Sequence, residues 1–276
     1  MRLATIRTPA GTRAVRVDEG AAVDLGADDL VAVLQRPDWR TSAAAATGTA
    51  YDVATLDYAP LVVRPEKVVC VGLNYRNHIL EMGRELPEHP TLFAKYARAL
   101  VGAYDDVVLP RASSAMDWEA ELAVVIGTPV RHAGRDEAAA AIAGYTVLND
   151  LSARDWQYRT QQWLQGKTFE ATTPIGPWLV TADEAPLPAA ISCEVDGDVM
   201  QKSDTAELVF DPVTLVAYIS SIVTLVPGDV IATGTPGGVG HARKPPRYLA
   251  DGATLVTRIE GVGKCRNRCR AEAPSP

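Results

Sequence analysis

The chain has 276 residues, 47% of them apolar, enough for the core of one large domain with a small companion. Its formal charge of -7 and isoelectric point near 5.2 argue against a nucleic-acid or anionic-membrane partner, either of which needs clustered positive charge. No run approaches the ~18 apolar residues of a spanning helix, and Met1-Arg2-Leu3-Ala4-Thr5 lacks the apolar stretch of a signal peptide, so the expectation is a soluble cytoplasmic enzyme.

Residues 1–63 read as a small N-terminal unit: a strand at 3–7, a turn at Pro9-Ala10-Gly11, a strand at 12–17, a short helix at 28–35 and a loop or weak helix at 41–50. Nothing in it suggests chemistry. The expected catalytic unit covers 64–270, followed by a tail at 271–276, and Arg266, Arg268 and Arg270 read as part of a solvated end. A buried-type strand at 68–72 leads into a short helix over 74–83, stopped by Gly83. On it His78 and Glu81 stand three residues apart and share a face. Such a pair is either a surface contact or an imidazole made more basic by its carboxylate, as a general base requires. The charged segment 85–90, with Pro87 and Pro90, reads as an exposed connection suited to a lid, before a strand at 91–95.

The central stretch is 116–150. Glu119-Ala120-Glu121 opens the apolar run Leu122-Ala123-Val124-Val125-Ile126, a buried strand closed by Gly127. Alternation puts Glu119 and Glu121 on one face with Ala120 on the other. A second strand, 144–150, ends on Asp150. These carboxylates either converge on a hard divalent cation or decorate an edge strand and a turn. Ser152 is placed to cap a helix running to about residue 164, with Arg154 and Gln157 on one face near Asp150. Lysine is scarce, six against twenty-one Arg, which singles out Lys95 and Lys167 as places that want a compact ammonium.

Downstream, Asp196-Gly197 turns a hairpin between 191–195 and 199–202, 211–223 is an amphipathic helix, and strands at 255–259 and 264–269 close the chain. The glycine-rich 234–240 carries no GK[ST], and Gly261-Val262-Gly263 does not complete G-x-G-x-x-G, so nucleotide binding is rejected. The absence of G-x-S-x-G and H-E-x-x-H removes serine-hydrolase and zincin readings. Cys70, Cys193, Cys265 and Cys269 are scattered, without the second pair a zinc site needs, and read as reduced thiols.

In order, Val71-Gly72-Leu73-Asn74-Tyr75 with His78 and Glu81, Asp117-Trp118-Glu119-Ala120-Glu121-Leu122, Gly144 through Asp150 with Ser152-Ala153-Arg154-Asp155 and Gln157, Gly166-Lys167, Gly176-Pro177-Trp178, and Pro227-Gly228-Asp229 through Gly234-Thr235-Pro236 resemble the fumarylacetoacetate hydrolase family over roughly residues 68–265. The resemblance implies an α+β, mainly β fold, a mixed β-sandwich roll with a small N-terminal domain, assembled as a homodimer. It implies that Glu119, Glu121 and Asp150 bind Mg²⁺, with Mn²⁺ or Ca²⁺ as substitutes. His78 and Glu81 would form a water-activating dyad on a lid helix, Arg154, Gln157 and Lys167 would surround the reacting oxygens, and Thr235 would contact substrate. The implied substrates are 2-oxo or 1,3-diketo acids, in aromatic catabolism among other settings.

Function follows as expectation. The first choice is hydrolysis of a carbon–carbon bond in a diketo acid of acylpyruvate, fumarylpyruvate or fumarylacetoacetate type, through an enolate held at the metal. Lys167 joins His78 and Glu81 as catalytic. The alternative is decarboxylation of oxaloacetate or isomerisation of an unsaturated 2-oxo diacid, and a remote third is a 2-oxo acid binding protein without turnover. Three departures from the family stand out: a short leading unit typical of bacterial members, Tyr96 after Lys95 where Lys-Pro is usual, and Asp196-Gly197 where Asn-Gly is common.

Overall fold

The computed structural model describes residues 1–273 except Met82 and Arg84, and leaves the side chains of His78 and Glu81 undescribed. The fold is mainly β, as expected. A 12-stranded mixed sheet runs through the molecule, faced by a 5-stranded sheet, and a two-stranded ribbon pairs Met116–Asp117 with Ser152–Ala153.

The apolar run becomes the strand Ala120–Ile126, buried along its whole length in the interior of the large sheet. It pairs antiparallel with Ile142–Asn149 on one side and Val230–Ala232 on the other. The edge-strand alternative is thus excluded. Leu122, Val124 and Ile126 point into the core shared with the 5-stranded sheet and the helix Pro212–Ile222, while Ala123 and Val125 point into a second core. Two covered faces explain why the sequence reads as a continuous apolar run instead of an alternating one.

The second core draws Leu30, Leu34 and Trp39 from the leading unit. That unit also adds its strands to the large sheet, because Arg2–Thr8 pairs with Thr173–Thr181. A boundary near residue 63 therefore divides one continuous sheet. Helix Trp39–Ala45 settles the open reading of 41–50 in favour of a short helix.

Local chemistry sets the ends of elements. Asp196 and Gly197 take φ of 55° and 87°, the left-handed pair that a tight hairpin turn requires between Ala190–Val195 and Asp198–Asp204. Pro212–Ile222 starts behind Asp211, whose side chain accepts from the Thr214 N–H.

Three expectations are corrected. Ser152 caps no helix: it lies in the ribbon, and its Oγ donates to the Asp150 carbonyl at 2.9 Å. The expected helix to residue 164 is instead two short ones, Arg154–Gln157 and Leu164–Lys167, because the second packs back on the first. A Cβ on Gly166 would sit 2.5 Å from the Gln157 nitrogen, so only glycine allows that approach. Arg266, Arg268 and Arg270 belong to the strand Gly263–Ala271, on its exposed face, and not to a tail.

Candidate active site

Strand register assembles the site. Ala120 pairs with Asn149, so Asp150 is delivered beside Glu119, and its N–H donates to the Glu119 carbonyl at 2.9 Å. Glu119 and Glu121, two residues apart, share a face. One carboxylate oxygen from each of Glu119, Glu121 and Asp150 lies within 4.8 Å of the others, and all three residues are buried. The expected convergence is therefore present in the structure.

Cations surround this cluster. Lys95 Nζ donates to Asp150 Oδ1 at 2.5 Å, and Lys167 Nζ bridges Glu119 Oε2 at 2.7 Å and Asp150 Oδ2 at 2.9 Å. Gly166, by permitting the close packing of the two short helices, brings Lys167 into this position. Arg154 donates from Nε to Asp117 Oδ2 at 2.8 Å, contacts Glu119 Oε1 at 2.7 Å, and reaches Gln157 Oε1 at 2.8 Å. Arg154 and Gln157 thus share a face, as their spacing requires.

Glu121 differs from its neighbours. Its described hydrogen bond is from the Gly234 N–H at 2.7 Å, and no cationic side chain among the described residues pairs with it. Burial, with Asp150 and Glu119 adding to it, pushes its carboxyl well above the usual range. Burial also opposes ionisation of Asp150, but Lys167 and Lys95 outweigh it and hold that carboxyl low. Burial lowers Lys167 and Arg154 as well, yet the facing carboxylates raise both overall, so both stay charged.

Four buried carboxyl groups, Asp117, Glu119, Glu121 and Asp150, face three buried cations, Lys95, Arg154 and Lys167, so in formal charge one carboxyl is left without a cation. An oxygen-only donor set with one carboxyl, Glu121, that lacks a cationic partner among the described residues fits a hard divalent cation.

Over the cluster lies a cavity of about 210 Å³, lined at its polar end by Glu119, Arg154, Gln157, Lys167 and Thr235 and on an apolar wall by Val71, Phe93 and Trp163. Its volume suits a small metabolite, below the ~300–1,000 Å³ of pockets for drug-sized ligands. Thr235 is pinned by its hydroxyl donating to the Ala120 carbonyl at 2.9 Å and accepting from Gln201 at 2.8 Å. The expected dyad falls on the helix Arg76–Glu81, which follows directly on the wall residues Val71, Gly72 and Leu73. The side chains of His78 and Glu81 lie outside the described residues.

The family model for the fumarylacetoacetate hydrolase C-terminal domain matches residues 67–270. The chain belongs to the fumarylacetoacetate hydrolase family. A human relative, oxaloacetate tautomerase FAHD2A, mitochondrial, is 49% identical over 211 residues, 75% of this chain and 67% of its own length. Among solved structures, fumarylacetoacetate hydrolase from Exiguobacterium antarcticum superposes with a TM-score of 0.87 at 32% identity, and 5-carboxymethyl-2-hydroxymuconate delta-isomerase from Mycobacterium smegmatis with 0.84 at 33%. Both alignments cover 99% of this chain and 100% of the other.

The site also uses residues that sequence reasoning gave no role. Asp117 carries Arg154, Gln201 holds Thr235, and Tyr158 and His241 line the cavity. Lys95, singled out by the scarcity of lysine, proves to be an ion partner of Asp150.

Proposed function

We propose that this chain transfers a proton at the carbon beside the 2-oxo group of a small diacid, acting as a keto–enol tautomerase or double-bond isomerase. The observation that carries the reading is the buried trio Glu119, Glu121 and Asp150 flanked by Lys95, Lys167 and Arg154 at the end of a small cavity. The sequence reading put carbon–carbon hydrolysis first. The names of the human tautomerase and the mycobacterial isomerase support the alternative better.

Glu119, Glu121 and Asp150 are the proposed ligands of Mg²⁺, or of Mn²⁺ or Ca²⁺ in its place. When bound, such a cation supplies Lewis acidity at the 2-oxo oxygen and reverses the sign of the cluster's charge, which favours an anionic substrate. Lys167, Arg154 and Gln157 then serve as donors to the oxygen on which negative charge develops. Thr235, fixed by Gln201, orients the substrate at the same polar end. His78 is the proposed proton carrier, with Glu81 orienting its imidazole. Phe93 and Trp163, packed edge to face with ring centroids 5.5 Å apart, keep water from one side. A cytoplasmic homodimer is the proposed setting, and sedimentation gives the assembly.

A second reading, hydrolysis of a diketo acid, has the structural likeness to the Exiguobacterium hydrolase in its favour. One panel separates them: decay of enol-oxaloacetate absorbance, CO₂ release from oxaloacetate, and acid release from acetylpyruvate, each with Mg²⁺ and with EDTA. Metal-dependent enol decay without CO₂ supports the tautomerase. Cleavage of acetylpyruvate with no effect on the enol returns the assignment to hydrolysis, and CO₂ release returns it to decarboxylation. Tight binding with no turnover at all would mark a binding protein.

A further inference from the structure

The cavity opens past a rim that the proposed reaction leaves unused. Tyr158 and His241 line it with their rings 5.2 Å apart, and His241 Nδ1 lies 3.0 Å from the Tyr248 hydroxyl. The imidazole is fixed from two sides. Its ring is held by Tyr248, and its backbone N–H donates to Asp117 Oδ2 at 3.0 Å. That same oxygen accepts from Arg154 Nε at 2.8 Å. A single buried carboxylate therefore sets the spacing between the guanidinium at the polar end and the imidazole at the mouth.

Nearby charge is mixed: Asp117 and Asp155 lie beside Tyr248 along with Arg154. Arg243 lies with its guanidinium 6.0 Å from the Trp118 ring centroid and donates to the Met200 carbonyl, and Arg247 pairs with Asp198 at 2.9 Å. With Nδ1 engaged by Tyr248, Nε2 is the ring atom left to meet a ligand. The same cavity is lined by Glu119, Arg154 and Lys167 and by His241, so one small diacid can meet both.

We infer that His241, oriented by Tyr248, is a specificity residue that receives the second carboxylate of a 2-oxo diacid. This rests on the proposed reading in one respect: the 2-oxo end must sit at the carboxylate cluster. His241 stands apart from the residues proposed for the proton transfer, so its role is to discriminate between substrates and not to carry the chemistry.

The test compares pyruvate with oxaloacetate, which differ by that one carboxylate, in calorimetric titrations of the Mg²⁺-loaded protein. Wild type binds oxaloacetate more tightly. His241→Ala loses about 10- to 100-fold in oxaloacetate affinity, the worth of one hydrogen bond to a charged group, while pyruvate affinity moves less than about twofold. His241→Gln, which keeps an N–H donor, recovers part of the loss, and Tyr248→Phe gives a smaller loss of the same selectivity. Equal weakening of both ligands, or unchanged oxaloacetate affinity in His241→Ala, overturns the inference. Enol decay followed on the same wild-type samples separates the two ideas. Selective binding that depends on His241 without turnover sinks the activity and keeps the rim, whereas turnover with no dependence on His241 does the reverse.

Discussion

Replacing Asp117 by Asn tests how firmly the site is tied together. Asp117 is fully buried, and its carboxylate accepts from the Trp118 and Gly240 N–H groups at Oδ1 and from His241 N–H and Arg154 Nε at Oδ2. Asn keeps one acceptor oxygen and turns an NH₂ toward two donors. Breaking a buried ion pair costs about 3–5 kcal/mol. Arg154 retains Glu119 and Gln157, which puts this one near the lower end, about 3 kcal/mol. The stranded donor adds about 1 kcal/mol at least. A total of about 4 kcal/mol corresponds to a fall in Tm of about 8–16 °C for a chain of this length. The assay is thermal unfolding by circular dichroism in EDTA, so that a bound ion does not mask the loss. A fall of less than about 3 °C would refute the argument, because it would mean that solvent or a rearranged loop satisfies the donors without the charge.

Glu121→Gln replaces a buried carboxyl whose ionisation is opposed by burial and by Asp150 and Glu119, and which has no cationic partner among the described residues, so the EDTA-treated variant should melt no lower than wild type. The rise in Tm on adding Mg²⁺, about 2.7 kcal/mol of stabilisation at a hundredfold excess over Kd, should vanish; a full Mg²⁺ response would remove Glu121 from the ligand set. Asp211→Ala should cost about 1 kcal/mol at neutral pH through the lost cap. Burial pushes the Asp211 carboxyl up, but hydrogen bonds from Thr214 and the Arg135 pair more than offset it and leave it lowered. Its contribution is therefore complete above its unfolded value of about 3.9 and disappears as pH falls through the folded value. Urea midpoints of wild type and variant should converge below about pH 4, and parallel curves down to pH 2 would contradict this. Gly234→Ala places a Cβ 2.9 Å from the Asn74 Cβ at φ of 103°. That should cost about 1–3 kcal/mol of stability and weaken Mg²⁺ binding, because the Gly234 N–H is the donor to Glu121; an unchanged Mg²⁺ affinity would count against the link.

What was legible in the sequence was local. Glu119 and Glu121 on one face follow from a two-residue period on an apolar run, and Asp196-Gly197 states its own turn. Asp150 completes the cluster only through the pairing of Ala120 with Asn149, a register that the order of the family's motifs conveys and that local pattern does not. The 152–164 segment contains no proline or glycine, so it reads as one helix. Its break comes from Gly166 packing against Gln157, a tertiary contact. The leading strands were visible, but their partner lies some 170 residues downstream at Thr173–Thr181. Asp117 and Gln201 act through contacts distant in sequence, while Tyr158 and His241 matter through the cavity they border and Tyr248 through its contact with His241. Their signals were the place of Asp117 in the Asp117-to-Leu122 motif, the adjacency of Tyr158 to Gln157 and that of His241 to a glycine-rich run.

The strand that carries Glu121 is laddered on both sides, to Ile142–Asn149 and to Val230–Ala232, with its two faces in two different cores. Amide protons in such a position exchange with solvent through opening of the whole domain and not through local fluctuation. The carboxylate floor therefore has no partly melted form of its own. Heating should abolish ion binding at the temperature where the chain unfolds, and the protein should lose that capacity in one step instead of by gradual decay.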